Sequence, residues 1–146
     1  MLSRVLIPAA VLSIFASAAA AESYTVEMLN RGEAGVMVFE PAFLQAQPGD
    51  TITFVPVDRS HNSAVIKGLL PEGAEPWKGA INEEVTVTLT EEGLYAYQCD
   101  PHVPMGMVGL IQVGAPTNLE EVTSAAETLR GKAKNVMQGL LTQVTE

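Results

Sequence analysis

Residues 97–107 have the sequence YQCDPHVPMGM, which brings a cysteine, a histidine and two methionines close together in the chain. Cys99 is the only cysteine of the 146 residues, and His102 is one of only two histidines. The chain leaves a predicted strand just before Cys99, turns at residues 100–101 and enters the next predicted strand at Met107. We therefore expect Cys99, His102 and a methionine to lie together at one pole of a β-structure.

The flanking sequence alternates short β-type segments with turns that contain glycine or proline. Val85, Val87 and Leu89 alternate with threonine, which is typical of a strand with one buried face. Residues 67–81 hold several glycines and prolines and are predicted to form a long loop. Many short strands separated by such turns predict an all-β, antiparallel sandwich or barrel. The predicted strands are 24–29, 36–39, 43–46, 51–55, 85–89, 94–97 and 108–113.

Beyond residue 116 the apolar residues change to helical spacing. They recur three and four positions apart in two sets, and Gly131 between the sets is suited to a helix break. Asn118 is predicted to cap the first helix. We predict two amphipathic helices packed on the sandwich, because their polar faces lack the dense cationic stripe of membrane-surface helices. The two sets are Leu119, Val122, Ala126 and Leu129, then Ala133, Val136, Met137, Leu140, Leu141 and Val144.

Residues 1–20 have the pattern of a secretory signal peptide. Arg4 is their only charged residue, and an apolar run and a series of small residues follow it. The run is too short for a membrane anchor, since a bilayer span needs about 20 apolar residues. We therefore predict cleavage after Ala20 or Ala21, export to the periplasm and no membrane insertion after cleavage.

The predicted mature chain is one domain, with a β-sandwich at 21–116 and a two-helix extension at 117–146. The full chain has 17 acidic and 8 basic residues and a formal net charge of −9. This balance excludes nucleic acid as a partner, because phosphate binding needs clustered lysine and arginine. A lone cysteine forms no disulfide within its own chain. In an oxidising compartment a free thiol is a liability, so we expect Cys99 to be bound by another group.

The second histidine, His61, also follows the end of a predicted strand. If the strand ends meet, two imidazoles, one thiolate and one thioether converge. Such a His₂Cys set with a weak axial methionine marks a blue-copper electron-transfer centre. Each residue taken alone has an ordinary alternative as a small buried cysteine, a hydrogen-bonded histidine or a core methionine. Spacing does not decide between Met105 and Met107 as the thioether donor.

The pattern Cys99-x-x-His102-x-x-x-x-Met107, with His61-Asn62 upstream, resembles the type 1 copper proteins called cupredoxins, and in particular the pseudoazurins. The resembling segments are 28–43, 48–62, 66–75 and 99–114. Plastocyanins share the spacing of this ligand loop but end at the last strand, whereas the two-helix tail resembles the pseudoazurins. The resemblance implies a Greek-key cupredoxin sandwich that binds one copper ion through His61, Cys99, His102 and Met107.

The same resemblance implies roles for the surrounding residues. Asn62 and Pro101 would lie beside the ligands, and Asn62 would tie the two ligand loops together. An apolar docking patch would contain Met37, Val103, Pro104 and Met105. A predicted basic ring around the patch would contain Arg31, Arg59, Lys67 and Lys78.

The resemblance also implies redox partners. The acceptor would be a periplasmic denitrification enzyme such as a nitrite reductase, a cytochrome would be the donor, and the carrier would act as a monomer. Gln98 and Glu33 depart from the family, since they stand at positions where it often has lysine. The net negative charge opposes long-range attraction to an acidic partner.

Four other functions fit parts of the pattern. Cys99 and His102 are candidates for a nucleophile and base, but no orienting third group is evident, so we predict that the chain is not an enzyme. Copper delivery or storage would favour exchangeable, sulfur-rich ligands. Zinc fits a His₂Cys set but carries no electrons. A plastocyanin-like carrier agrees with the acidity and disagrees with the helical tail.

Overall fold

The computed structural model describes residues 19–146, so the predicted signal peptide lies almost entirely outside the described residues. The described chain forms eight strands and two helices. Its helices are all too short or too polar to cross a membrane. The strands are β1 Ser23–Gly32, β2 Gly35–Glu40, β3 Phe43–Ala46, β4 Asp50–Pro56, β5 Ala64–Val65, β6 Val85–Leu89, β7 Gly93–Gln98 and β8 Val108–Val113, and the helices are α1 Leu119–Ala126 and α2 Lys132–Leu141.

The strands form two four-stranded sheets, ordered β2-β1-β4-β6 and β3-β8-β7-β5. The pairs β1/β4 and β3/β8 are parallel, and the other neighbours are antiparallel. Strands that are adjacent in a sheet are therefore often distant in sequence, as in a Greek-key sandwich. The predicted all-β sandwich with two C-terminal helices is confirmed, but the expectation of purely antiparallel pairing is wrong at β1/β4 and β3/β8.

The predicted strands occur close to their expected bounds, and Val85, Val87 and Leu89 are more buried than the threonines between them. The two-residue strand β5, Ala64–Val65, was not predicted, because it is too short for a periodicity to be visible. The loop at 67–81 contains no further strand, but Lys78 forms an isolated bridge with Ala64.

Strand β7 is buried on both faces, which explains its nearly continuous apolar sequence. Tyr95 and Tyr97 face the core between the two sheets, where they meet aromatic side chains such as Phe54. Leu94 and Ala96 point the other way, into a second core. This period of two carries Cys99, two positions beyond Tyr97, into the core between the sheets.

The second core lies between the β7–β8 sheet and the two helices. Val122 and Ala126 of α1 and Met137 of α2 are fully buried there. The helical spacing in the sequence therefore predicted which face of each helix is buried. Gly131 separates the two helices, as predicted, and has a φ of 60°. A left-handed backbone of this kind is where glycine is favoured.

Asn118 occupies the N-cap position of α1, as predicted, but its side chain makes no capping hydrogen bond. Instead, its Oδ1 accepts a hydrogen bond of 2.7 Å from Leu94 N–H, and its Nδ2 donates one of 2.9 Å to Leu94 C=O. Asn118 thus satisfies the backbone of a fully buried residue of β7, as a neighbouring strand would. Both polar atoms of the amide are engaged there, so neither is available to the helix.

We predict that Asn118→Ser lowers the free energy of unfolding by about 1–3 kcal/mol, the cost of leaving buried polar groups without partners. Serine is a good helix cap but is too short to reach both backbone groups of Leu94. Chemical denaturation would measure the loss.

The matched control is Asn135→Ser on the exposed side of α2, where Asn135 makes no side-chain hydrogen bond within residues 19–146. We expect a change within about 0.5 kcal/mol for this control. Equal stability of the Asn118→Ser protein and the control would contradict the role assigned to Asn118.

Candidate metal centre

The β7–β8 ladder places Cys99 opposite Met107. Gln98 pairs with Val108 in the last register position, and Cys99 N–H continues the ladder with a hydrogen bond of 3.0 Å to Met107 C=O. Side chains alternate between the faces of a sheet, so both residues lie on the inner face, and both are completely buried. The thiol and this thioether therefore share one end of the core between the sheets.

His102 lies in the short connection between these two strands. Its N–H donates to Cys99 C=O at 3.1 Å, and its C=O accepts a hydrogen bond from Met105 N–H at 2.9 Å. A single 3₁₀ turn at Val103–Met105 follows, and Gly106 closes it with a φ of 92°. These bonds fold the loop tightly enough to return the imidazole to the cysteine, as the sequence predicted.

His61 approaches from the other sheet, after β4, and its side chain is completely buried. Its Nδ1 lies 3.1 Å from the Nδ1 of His102 and 3.7 Å from the Sγ of Cys99. The Sγ and the Nδ1 of His102 are 3.5 Å apart. The structure therefore brings together three of the four predicted donor side chains.

These three distances are short enough for one metal ion to contact all three atoms. A point at about 2.0 Å from each atom exists between them, close to the metal–nitrogen and metal–sulfur bond lengths of roughly 2.0–2.3 Å. The atoms are two imidazole nitrogens and one sulfur, a donor set that suits both oxidation states of copper. The residues present therefore fit a copper ion.

Asn30 orients His61 and was not identified from the sequence. Its Oδ1 lies 2.9 Å from the Nε2 of His61 and accepts the hydrogen bond from it. The proton is thereby held on Nε2, which leaves the Nδ1 lone pair free for a metal. Asn30 lies 31 positions before His61 in β1, and the predicted strand 24–29 ended just before it. No local pattern in the sequence therefore indicated the contact.

Burial changes the proton affinity of two donors in directions that bear on metal binding. Burial lowers the pKa of His61, and the neighbouring His102 lowers it further against the opposing effect of Asp58, so the neutral imidazole is favoured over the cation. Burial raises the pKa of the Cys99 thiol, although backbone N–H groups of Asn62 and His102 oppose this. A bound metal replaces the thiol proton, because a coordinating thiol is deprotonated.

Asn62 connects the segment of His61 with the segment of Cys99. Its Oδ1 accepts a hydrogen bond of 2.8 Å from Asp100 N–H. Its Nδ2 donates to Asp100 Oδ2 at 3.0 Å and to Gly79 C=O at 3.1 Å. One buried amide therefore holds three segments of the chain in register around the site.

Asp100 is the charged member of this network. Its Oδ1 accepts from Gln98 Nε2 at 3.0 Å, and its Oδ2 lies 3.3 Å from Lys78 Nζ. Burial works to raise the pKa of Asp100, but the hydrogen bonds from Gln98, Asn62 and Lys78 outweigh it and hold the pKa below its usual value.

The two candidate methionines occupy different environments. Met107 is completely buried in the cluster that contains Cys99, whereas Met105 is 43% exposed. Only Met107 lies within the enclosed end of the core, so burial favours Met107 as the thioether donor and leaves Met105 at the surface.

Three of the predicted docking-patch residues, Val103, Pro104 and Met105, form the turn that follows His102. Val103 is partly buried, and Pro104 is exposed. Met37 is partly buried against the inner core and has a φ of 51°, an unusual backbone for a residue other than glycine. Pro101, predicted to lie beside the ligands, is exposed.

The four predicted basic-ring residues, Arg31, Arg59, Lys67 and Lys78, are all exposed. Only Lys78 among them forms an ion pair within residues 19–146, and its partner is Asp100. This member of the predicted ring is therefore linked directly to the network around the donors.

The C-terminal helices support the ligand loop. A Cβ added at Gly106 would lie 3.0 Å from Lys132 Cγ and 3.1 Å from Val136 Cγ2, so α2 packs closely against the loop. An apolar groove of about 350 Å³ runs between the turn at Val103 and Pro104 and the connection between the helices. The helical tail thus contributes to the shape of the surface next to His102.

The two-sheet fold and the His₂Cys donors together define a mononuclear copper protein of the cupredoxin class. The sequence model of the family described as copper binding proteins, plastocyanin/azurin family, matches residues 26–114. Copper is therefore the metal of this chain.

Individual relatives place the chain more narrowly. The pseudoazurin of Paracoccus pantotrophus is 53% identical over 137 residues, which cover 93% of each chain. The solved structure of a pseudoazurin from Sinorhizobium meliloti aligns with a TM-score of 0.80 at 56% identity, over 84% of this chain and 95% of that one. A chloroplastic plastocyanin of Oryza sativa subsp. indica is 35% identical over 114 residues, 72% of this chain and 74% of that protein.

The chain belongs to the pseudoazurins, blue copper electron carriers within the plastocyanin/azurin family. The structural match also confirms the predicted cupredoxin fold.

We predict that Met107→Leu changes the copper spectrum and the reduction potential, while Met105→Leu leaves both unchanged. Leucine keeps nearly the same volume, so packing is retained and only the thioether is lost. The axial donor tunes the potential of blue-copper sites. Electron paramagnetic resonance and voltammetry of the two copper-loaded variants would measure the difference. A spectral change in the Met105 variant alone would contradict the assignment of Met107.

Proposed function

We propose that this protein is a type 1 copper electron shuttle whose metal is bound by His61, Cys99, His102 and Met107. The observation that carries the proposal is the convergence of Cys99 Sγ and two histidine Nδ1 atoms within 3.7 Å of one another. Copper bound there supplies a one-electron Cu(II)/Cu(I) couple. The protein would take one electron from a donor and pass the same electron to an acceptor, without changing a substrate itself.

The residues around the donors keep the site nearly unchanged through such a cycle. The amides of Asn30 and Asn62 hold His61 and the cysteine loop by side-chain hydrogen bonds. Backbone bonds fold the loop between Cys99 and Met107. A site held this firmly requires little rearrangement when its charge changes, which favours rapid electron exchange.

We infer that electrons enter and leave through His102. His61 is completely buried, whereas His102 is partly exposed and is followed by Val103, Pro104 and Met105. This apolar surface is suited to a small, short-lived interface of the kind found in redox encounters. The remaining donors, Cys99 and Met107, are shielded from water.

We propose a periplasmic denitrification reductase, such as a nitrite reductase, as the acceptor and a cytochrome as the donor. Support comes from the family resemblance and from the exposure of the predicted basic-ring residues Arg31, Arg59 and Lys67. The full chain has a formal net charge of −9, so any attraction to an acidic partner is local rather than long-range. We propose a periplasmic location and a monomer for the same carrier, since the N-terminal sequence predicts export.

We predict that Met105→Glu lowers the second-order rate constant of electron transfer by about tenfold, equivalent to about 1.4 kcal/mol of docking free energy. A charge in the apolar patch has to be desolvated on docking, whereas the copper donors are untouched. Stopped-flow oxidation by a copper nitrite reductase would measure the rate, and the visible spectrum should remain that of the parent protein.

The matched control is Thr123→Glu, which adds the same charge at an exposed position of α1. We expect this control to transfer electrons at nearly the parent rate. Equal slowing by both variants would assign the effect to net charge and contradict the patch. A bleached spectrum in Met105→Glu would contradict the placement of Met105 outside the copper site.

A further inference from the structure

We propose that the ion pair between Asp100 and Lys78 sets the reduction potential of the copper, with Asp100 favouring Cu(II) and Lys78 partly cancelling that effect. This inference rests on the proposed function, since it concerns how the same site is tuned. Asp100 and Lys78 would act on the copper through their charges and would not bind it.

The Asp100 carboxylate is linked to the two chain segments that carry Cys99 and His61. Asp100 directly follows Cys99, so their Cα atoms are about 3.8 Å apart. The carboxylate also bonds to the amide of Asn62, the neighbour of His61. It is therefore attached to both segments that carry buried donors.

The charge on Asp100 is held in place on both oxygens. Gln98 donates to Oδ1, and Asn62 and Lys78 approach Oδ2. The Asp100 side chain is 33% exposed, so water screens its field only in part. A fixed negative charge near a metal stabilises the more positive oxidation state, which lowers the reduction potential.

Lys78 opposes this effect from a position that a partner could reach. Its side chain is 77% exposed, and its Nζ lies 3.3 Å from Asp100 Oδ2. While the pair is closed, the cation offsets the carboxylate. A docked acceptor with a carboxylate of its own would draw Lys78 away, leave Asp100 uncompensated and lower the potential, which would favour release of the electron to that acceptor.

The test is a double-mutant cycle in which the reduction potential of the copper-loaded mature protein is measured. We expect Asp100→Asn to weaken the preference for Cu(II) over Cu(I) by about tenfold, a rise of about 59 mV for one electron. Lys78→Gln should strengthen the preference for Cu(II) and so lower the reduction potential. We expect this change to be smaller than that of Asp100→Asn, because the lysine is largely exposed. Voltammetry would measure both shifts.

The double variant shows whether the two residues act as a pair. If Lys78 acts on the copper by compensating Asp100, Lys78→Gln should have a much smaller effect in the Asp100→Asn background. The matched control is Lys67→Gln, which removes the same charge from an exposed lysine that forms no ion pair within residues 19–146. Its shift measures the general effect of net charge.

Shifts of opposite sign for the two single variants, each larger than the control shift, would support the proposal. Shifts no larger than that of Lys67→Gln, or an undiminished Lys78→Gln shift in the double variant, would overturn it. If Asp100→Asn fails to fold, the comparison of Lys78→Gln with Lys67→Gln still decides the sign and size of the lysine effect. A parent protein with no reversible copper couple would instead refute the proposed function, and the two failures are therefore distinguishable.

Discussion

The hydrogen bond between Cys99 N–H and Met107 C=O is the contact on which the copper site depends most. It extends the β7–β8 ladder by one step beyond Gln98 and Val108, and the alternation of the sheet then turns both sulfur side chains inward. A shift of β8 by one residue in this register would turn Met107 to the opposite face and separate its side chain from that of Cys99. The thiol, the thioether and the loop with His102 are therefore placed by the pairing of two strands.

That pairing is stabilised by burial on both of its sides. Tyr95 and Tyr97 fill the core between the sheets, and Leu94 and Ala96 are covered by the two helices. Gly109 lies directly against the ring of Tyr97, which leaves no room for a larger side chain at that position of β8. The helical tail is thus part of the same structural unit, because it covers the outer face of the strands that carry the ligand loop.

Local patterns in the sequence predicted most of the fold and the donor types. Alternation predicted strands such as β6, and the scarcity of cysteine and histidine indicated a shared site for Cys99, His102 and His61. Spacing alone left Met105 and Met107 equivalent as thioether donors. In the structure, the register of β7 with β8 places only Met107 opposite Cys99. Contacts between distant segments were not predictable: Asn30 lies 31 positions from His61, and Asn118, whose local sequence is typical of a helix cap, binds a strand 24 positions away.

The most direct measurement of the central claim is the visible absorption and electron paramagnetic resonance spectrum of the mature protein with one equivalent of Cu(II). The donor atoms of Cys99, His61 and His102 predict an intense absorption band in the visible range and a small copper hyperfine splitting. Ascorbate should remove both signals, and reoxidation should restore them. A colourless protein, or one with the wide hyperfine splitting of ordinary tetragonal Cu(II), would contradict the assignment of a type 1 site to these residues.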